Sequence, residues 1–169
     1  MVVWIIGLSS AGKTTVGRLL VKLLRDSGQS VVHLDGDELR GVWGDDLGHT
    51  FEARRKNHMR ITRLCELLDQ DDKTHVIATV LSIAPDIRAT HRQRFQRYLE
   101  VFLDIPLAEA RRRDQRGVYA DSAEDVVGRD IEFSVPAADL RFGEPEIYDP
   151  PGKIARSIFD AMQTSPEKH

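Results

Sequence analysis

The segment Gly7-Leu8-Ser9-Ser10-Ala11-Gly12-Lys13-Thr14 has the spacing G-x-x-x-x-G-K-[ST], which builds a cradle for a phosphate chain. Gly7 and Gly12 allow backbone angles that turn successive N–H groups toward one point. A helix starting here adds the positive end of its dipole. Lys13 can reach the β- and γ-phosphates of a nucleoside triphosphate, and the Thr14 hydroxyl can hold Mg²⁺. Ser9, Ser10, Ala11 and Thr15 complete the loop. The bland alternative is a chance match in a glycine-containing turn. Against it, the motif lies between an apolar run and an amphipathic one, the context it needs.

A second acidic motif, Asp35-Gly36-Asp37, falls where another strand is expected to end. Ligands of open α/β sheets bind at that edge. A carboxylate there can orient or accept the proton of an attacking hydroxyl, or help hold a metal, and Asp37 is the candidate for both. The structural alternative is a polar turn with Asp37 as a helix N-cap.

Alternating short apolar runs and helical periodicities are expected to position these residues, the pattern of βαβ units around a parallel sheet. Val2–Ile6 reads as a fully buried strand and Lys13–Leu24 as a helix with Val16, Leu19, Leu20, Leu23 and Leu24 on one face. Strands are expected at Ser30–Leu34, His75–Leu81 and Leu99–Asp104, and helices at Glu52–Leu68, Pro85–Tyr98 and Ile154–Met162. Pro106 suits the first position of another helix, where its missing N–H costs nothing. From Gln115 to Asp149 the periodicity fails and Gly, Pro and Asp accumulate, which predicts a functional lid. The last residues read as a frayed tail. Together these features predict a three-layer α/β/α fold of the P-loop kinase type, one domain over residues 1–169.

Composition narrows the partners. Twenty-four basic residues against 27 acidic give a net charge of −3, which argues against a general nucleic-acid binder. The runs Arg54-Arg55-Lys56 and Arg111-Arg112-Arg113 then read as local clusters. The single cysteine, Cys65, excludes an internal disulfide and falls in an apolar spacing that predicts a buried thiol. The six histidines lack metal-ligand spacing. No segment is long and apolar enough to span a membrane, so the cytoplasm is the expected compartment.

With both motifs placed, the sequence resembles the adenylylsulfate kinase family over nearly its whole length. The family's Gly-Leu-Ser-Gly-Ala-Gly-Lys-[ST]-Thr is matched by Gly7 to Thr15, with Ser10 in place of a glycine. Its Leu-Asp-Gly-Asp-x-x-Arg is matched by Leu34 to Arg40, and Asp46-Leu47-Gly48-His49-Thr50 resembles its Asp-Leu-Gly-Phe-Ser. Its Arg-x-x-Asn-x-x-Arg is matched by Arg54, Asn57 and Arg60. Ser82 and Arg88 match a serine and a following arginine. Val101 to Leu107 resembles its Val-Phe-Val-Asp-Thr-Pro-Leu, and Arg113 to Tyr119 its Arg-Asp-x-Lys-Gly-Leu-Tyr.

This resemblance implies a reaction in which ATP phosphorylates the 3′-hydroxyl of a small nucleotide-like acceptor. Lys13, Thr14 and Mg²⁺ serve ATP, and Arg113 and Arg116 close over it. Asp37 faces the acceptor hydroxyl. Asp35, Arg40, Arg54, Asn57, Arg60 and Ser82 surround the acceptor. The family often forms dimers, so a homodimer is expected. Where the family grips adenine between two phenylalanines, this chain has His49 and Val126, and Phe133 stands for a lid tyrosine. The Val126–Ile131 lid segment resembles a branch that includes cytidine diphosphoramidate kinases of bacterial capsule synthesis. The acceptor is thus either adenylylsulfate or a cytidine diphosphate derivative. Two other readings stay open: a nucleotide-binding switch without phosphoryl transfer, and a sugar kinase of the gluconate type.

Overall fold

The computed structural model describes residues 1–44, 46–71, 73–120, 124–143 and 149–164. Every residue of β1 (Val2–Gly7) is buried, as an unbroken apolar run requires of a strand covered on both faces. Its side chains alternate between the two faces. Val3 and Ile5 enter one core with Val101 and Leu103, while Val2, Trp4 and Ile6 enter another with Val76, Ala78 and Phe102.

The other strands are β2 (Ser30–Asp35), β3 (Thr74–Val80), β4 (Tyr98–Leu103) and β5 (Leu140–Phe142). They form one sheet in the order β2-β3-β1-β4-β5, parallel throughout. Helices α1 (Lys13–Asp26), α2 (Gly36–Val42), α3 (Phe51–Leu68), α4 (Pro85–Arg94), α5 (Leu107–Arg112) and α6 (Pro151–Thr164) complete the chain. From α1, Val16, Leu20 and Leu24 pack with Ile154, Ile158 and Met162 of α6 in the first core. Ile61 and Cys65 of α3 close the second. The architecture is the three-layer α/β/α arrangement expected. Cys65 is fully buried, and burial pushes its thiol pKa well up, so the thiol is inert.

Four local expectations change. Helix α2 was not anticipated; Asp35 caps it, accepting from the Asp37 and Glu38 N–H groups, so the capping role considered for Asp37 belongs to Asp35. Helix α4 stops at Arg94, short of Tyr98, because Phe95 turns extended and buries while Tyr98 opens β4 against Val2. Pro106 is the N-cap of α5 rather than its first helical residue. Residues 140–142, inside the stretch read as lid, are instead the edge strand β5 beside Val101–Leu103. The parts of that stretch at 121–123 and 144–148, and the tail at 165–169, lie outside the described residues. Among the described residues, no helix is long and apolar enough to cross a membrane.

Between α3, α4 and the sheet, Trp4, His58, His91, Phe95 and Tyr98 form a run of ring contacts. Burial is the largest influence on both histidines, lowering His91 to about 3 and His58 well below its usual value. A base whose folded pKa is depressed takes up protons on unfolding, so stability must fall as pH drops below about 6.5. Each histidine held neutral costs about 2 kcal/mol by pH 5. The expected result is a melting temperature several degrees lower at pH 5 than at pH 7; an unchanged value would contradict it.

Candidate active site

Three positions shape the phosphate loop. A Cβ on Gly7 would lie 2.8 Å from the Leu103 carbonyl oxygen, so the close approach of β1 to β4 demands glycine there. Gly12 at φ 90° caps α1 in the left-handed region. Ser10, where the family has glycine, also takes a left-handed φ of 62°, a cost of about 1–2 kcal/mol for a side chain with a Cβ. The Tyr119 hydroxyl donates to the Ser9 carbonyl at 3.1 Å and ties the start of the lid segment to the loop. Lys13 folds back over the loop, its Nζ donating to Gly7 O at 2.9 Å and Leu8 O at 2.8 Å. Burial outweighs the nearby Asp37 and Asp35 and lowers the Lys13 pKa to about 8.

Asp35 closes the far side of the loop. Its Oδ2 accepts from Thr14 Oγ1 at 2.6 Å and from Thr79 Oγ1 at 2.8 Å, and its Oδ1 accepts from the Asp37 N–H at 3.0 Å. Burial, the largest influence, pushes this carboxyl up; the hydrogen bonds from Thr14, Thr79 and the backbone together outweigh it, and its pKa is lowered. Behind Thr79, the half-buried His33 places Nε2 3.1 Å from the Thr79 hydroxyl. Asp37 is exposed and pairs across the cleft with Arg116 at 2.8 Å. The carboxylate on the Thr14 hydroxyl is therefore Asp35, while Asp37, the residue the sequence offered to help hold a metal, pairs with Arg116.

The loop, Asp35, Asp37, Arg40, Arg54, Asn57, Ser82, Arg113 and Arg116 line a single cleft of about 410 Å³. Arg40 Nη1 donates to the Leu47 and Gly48 carbonyls, and Arg54 bridges His49 O at 2.7 Å and Asp125 O at 3.2 Å. Buried Asn57 donates to Gly36 O at 3.4 Å, while its Oδ1 has no protein partner. Ser82 is fixed from three sides: φ is 53°, Trp4 Nε1–H donates to its hydroxyl, and Arg88 donates to its carbonyl at 2.6 Å.

Four expected acceptor contacts fall outside the cleft lining. Arg60 makes a two-pronged pair with Asp46, both distances 2.6 Å, and lies over the Trp43 ring. Val126 is 2% exposed in the first core, and Phe133 stacks on Phe102. His49 is exposed at the rim, and Arg54 Nε donates to its backbone carbonyl. Two features escaped the sequence reading. One is Thr79, set opposite Asp35 by the β2–β3 register. The other is an apolar slot of about 250 Å³ between Leu103, Ile105, Phe142 and Pro151, which shares Gly12 and Arg113 with the cleft. Such a slot suits a flat base whose phosphates reach the loop.

The family model for adenylylsulphate kinase matches residues 1–141. The chain belongs to this family. It is 36% identical to the adenylyl-sulfate kinase of Picosynechococcus, covering 97% of this chain and 96% of that protein. It is 32% identical to the cytidine diphosphoramidate kinase of Campylobacter jejuni, covering 82% of this chain and 83% of the other. The Mycobacterium tuberculosis APS kinase CysC, solved with AMPPNP and APS, superposes with a TM-score of 0.86 at 31% identity, covering 96% and 97% of the two chains. This adenylylsulfate kinase relative is thus an ATP-dependent kinase that works with Mg²⁺. Its loop fits that pair: Thr14 Oγ1 and Asp35 Oδ2 are hard oxygens beside an anion nest, and Mg²⁺ takes only one or two protein oxygens when phosphates complete its shell.

Proposed function

We propose that this kinase transfers the γ-phosphoryl group of ATP to a ribose hydroxyl of a small anionic nucleotide, and that the acceptor is a cytidine diphosphate derivative. The observation that carries this reading is one cleft joining the phosphate loop to Arg40, Arg54 and Asn57, with Asp37 between them. Lys13 leaves the Gly7 and Leu8 carbonyls and follows the charge of the transferred group. Arg113 and Arg116 meet the same charge from the lid side. Asp37, freed from Arg116, takes the hydroxyl proton of the acceptor. Thr14, with Asp35 behind it, would hold Mg²⁺, whose charge would offset that of the phosphate chain. A lone buried cysteine fits a reducing compartment, the cytoplasm, and a homodimer follows the habit of the family.

The choice of acceptor rests on the cleft wall. None of its lining residues is aromatic among those described, and the two lid positions where the family carries an aromatic ring are accounted for elsewhere: Val126 is core and Phe133 stacks on Phe102. Stacking on an aromatic face is worth about 1–3 kcal/mol per base, and a purine depends on it more than a pyrimidine. Coupled ADP-release assays should therefore give a kcat/KM at least tenfold higher for cytidine diphosphoramidate than for adenylylsulfate. The reverse order would return the chain to an ordinary adenylylsulfate kinase. A second variant checks the rim. His49→Phe should raise use of adenylylsulfate several-fold, whereas Val126→Phe would only overpack the core at about 1–3 kcal/mol.

A further inference from the structure

Two hydroxyls donate to the same oxygen of Asp35, and only one of them belongs to the phosphate loop. The other is that of Thr79 on β3, which is 2% exposed. A threonine hydroxyl has one proton. With that proton on Asp35 Oδ2, the hydrogen in the 3.1 Å contact between Thr79 and His33 has to come from the ring, so His33 Nε2 is the donor. His33 to Thr79 to Asp35 is then a series of two donors pointing the same way, which meets the Thr14 donor of the phosphate loop at the Asp35 carboxylate. Bonds ordered in this manner polarise one another and strengthen together.

The packing around the pair is equally specific. A Cβ on Gly17 would lie 2.8 Å from His33 Nε2 and 2.6 Å from the Thr79 methyl carbon. Helix α1, which carries Lys13 and Thr14, thus rests its backbone directly on His33 and Thr79. Glycine lowers helix propensity by about 1 kcal/mol, so its presence mid-helix serves this approach.

We propose that His33 is a positioning residue of the ATP and Mg²⁺ site. By donating to Thr79 it holds the proton of that hydroxyl on Asp35 and so keeps the carboxylate turned to Thr14. This rests on the reading of Thr14 and Asp35 as the metal side of the site. Without the ring donor, the Thr79 proton is free to turn elsewhere. Asp35 Oδ2 then loses one of two restraints and Thr14 is no longer held in place before the metal arrives.

The test needs no acceptor. Binding of a non-hydrolysable ATP analogue is measured by calorimetry in EDTA and in saturating Mg²⁺, and the ratio of the two Kd values is the gain due to the metal. His33→Leu should lose about tenfold of that gain, the size expected once the Thr79 hydroxyl no longer donates to the Asp35 carboxylate, with Kd in EDTA unchanged. His33→Gln, which keeps an N–H donor, should recover most of it. Thr79→Val should match His33→Leu, and the double variant should lose no more than either alone. Equal melting temperatures confirm that the variants are folded. A full metal gain in His33→Leu overturns the proposal, as does an equal loss in EDTA, a failure of His33→Gln to recover, or a double variant whose losses multiply. If the wild-type protein binds the analogue with no gain from Mg²⁺, the reading of the site itself fails and the proposal falls with it.

Discussion

Lys13→Ala should reduce kcat by about 10²–10³-fold, the loss that follows removal of one preorganised charge-stabilising donor. The lysine is the one cation in the phosphate loop, and it waits on two backbone carbonyls that a phosphate oxygen can replace. Turnover within tenfold of wild type, a barrier change of only about 1.4 kcal/mol, would remove Lys13 from the site. The same residue makes a second, independent prediction. With its pKa lowered to about 8 by burial, much of Lys13 is neutral above that pH. Binding a phosphate chain restores the charge, so at pH 8.5 ATP should bind with net proton uptake, read as a dependence of the binding heat on the buffer. Lys13→Ala should abolish that dependence. The sign for stability is the reverse of the usual lysine case. Because the folded pKa lies below the unfolded one, the neutral-pH penalty for burying this cation is relieved as pH rises from about 8 toward 10.5.

Asp37→Asn should have the other large effect, a fall in kcat of about 10²–10⁴-fold, the range for loss of a positioned general base. The KM for ATP should change little, since the side chain pairs with Arg116 and not with the loop. Stability should hardly move, because an exposed pair is worth about 0–1 kcal/mol and both partners are more than half exposed. A collapsed melting temperature with turnover per folded molecule intact would make Asp37 a structural residue. The contrast with Asp35 sharpens the test. Asp35 is buried, caps α2 and accepts from two threonines, so Asp35→Asn should cost stability as well as turnover.

The parts legible in the sequence were those set by local pattern. An unbroken apolar run fixed β1, helical spacing fixed α1 and α3, and the glycine-lysine spacing fixed the phosphate loop. Helix α2 was hidden because seven residues are too few to show a period, although Asp35 before Gly36-Asp37-Glu38 was a cap signal on the page. The three residues of β5 carry no period either. Thr79 was invisible for a different reason: its partnership with Asp35 is created by strand register, which joins residues 44 apart. Val126 and Phe133 were assigned to the acceptor by their place in a motif. Their burial was decided instead by what packs around them, the first core and the Phe102 ring. Arg60 followed the motif too, yet Asp46 lies within its reach and takes both of its terminal nitrogens.

The central place of β1 also governs how the chain comes into being. Val2 pairs with Val76 on one side and Tyr98 on the other, so β1 is made long before either of its neighbours. At about 5–20 residues per second, some 5–20 s pass before both neighbours exist. Until β3 is made, the six buried-type residues Val2 to Gly7 have neither neighbour and are open to pairing with another chain. The strand that aims the phosphate loop is for that reason a segment of the nascent protein that a holding chaperone would protect.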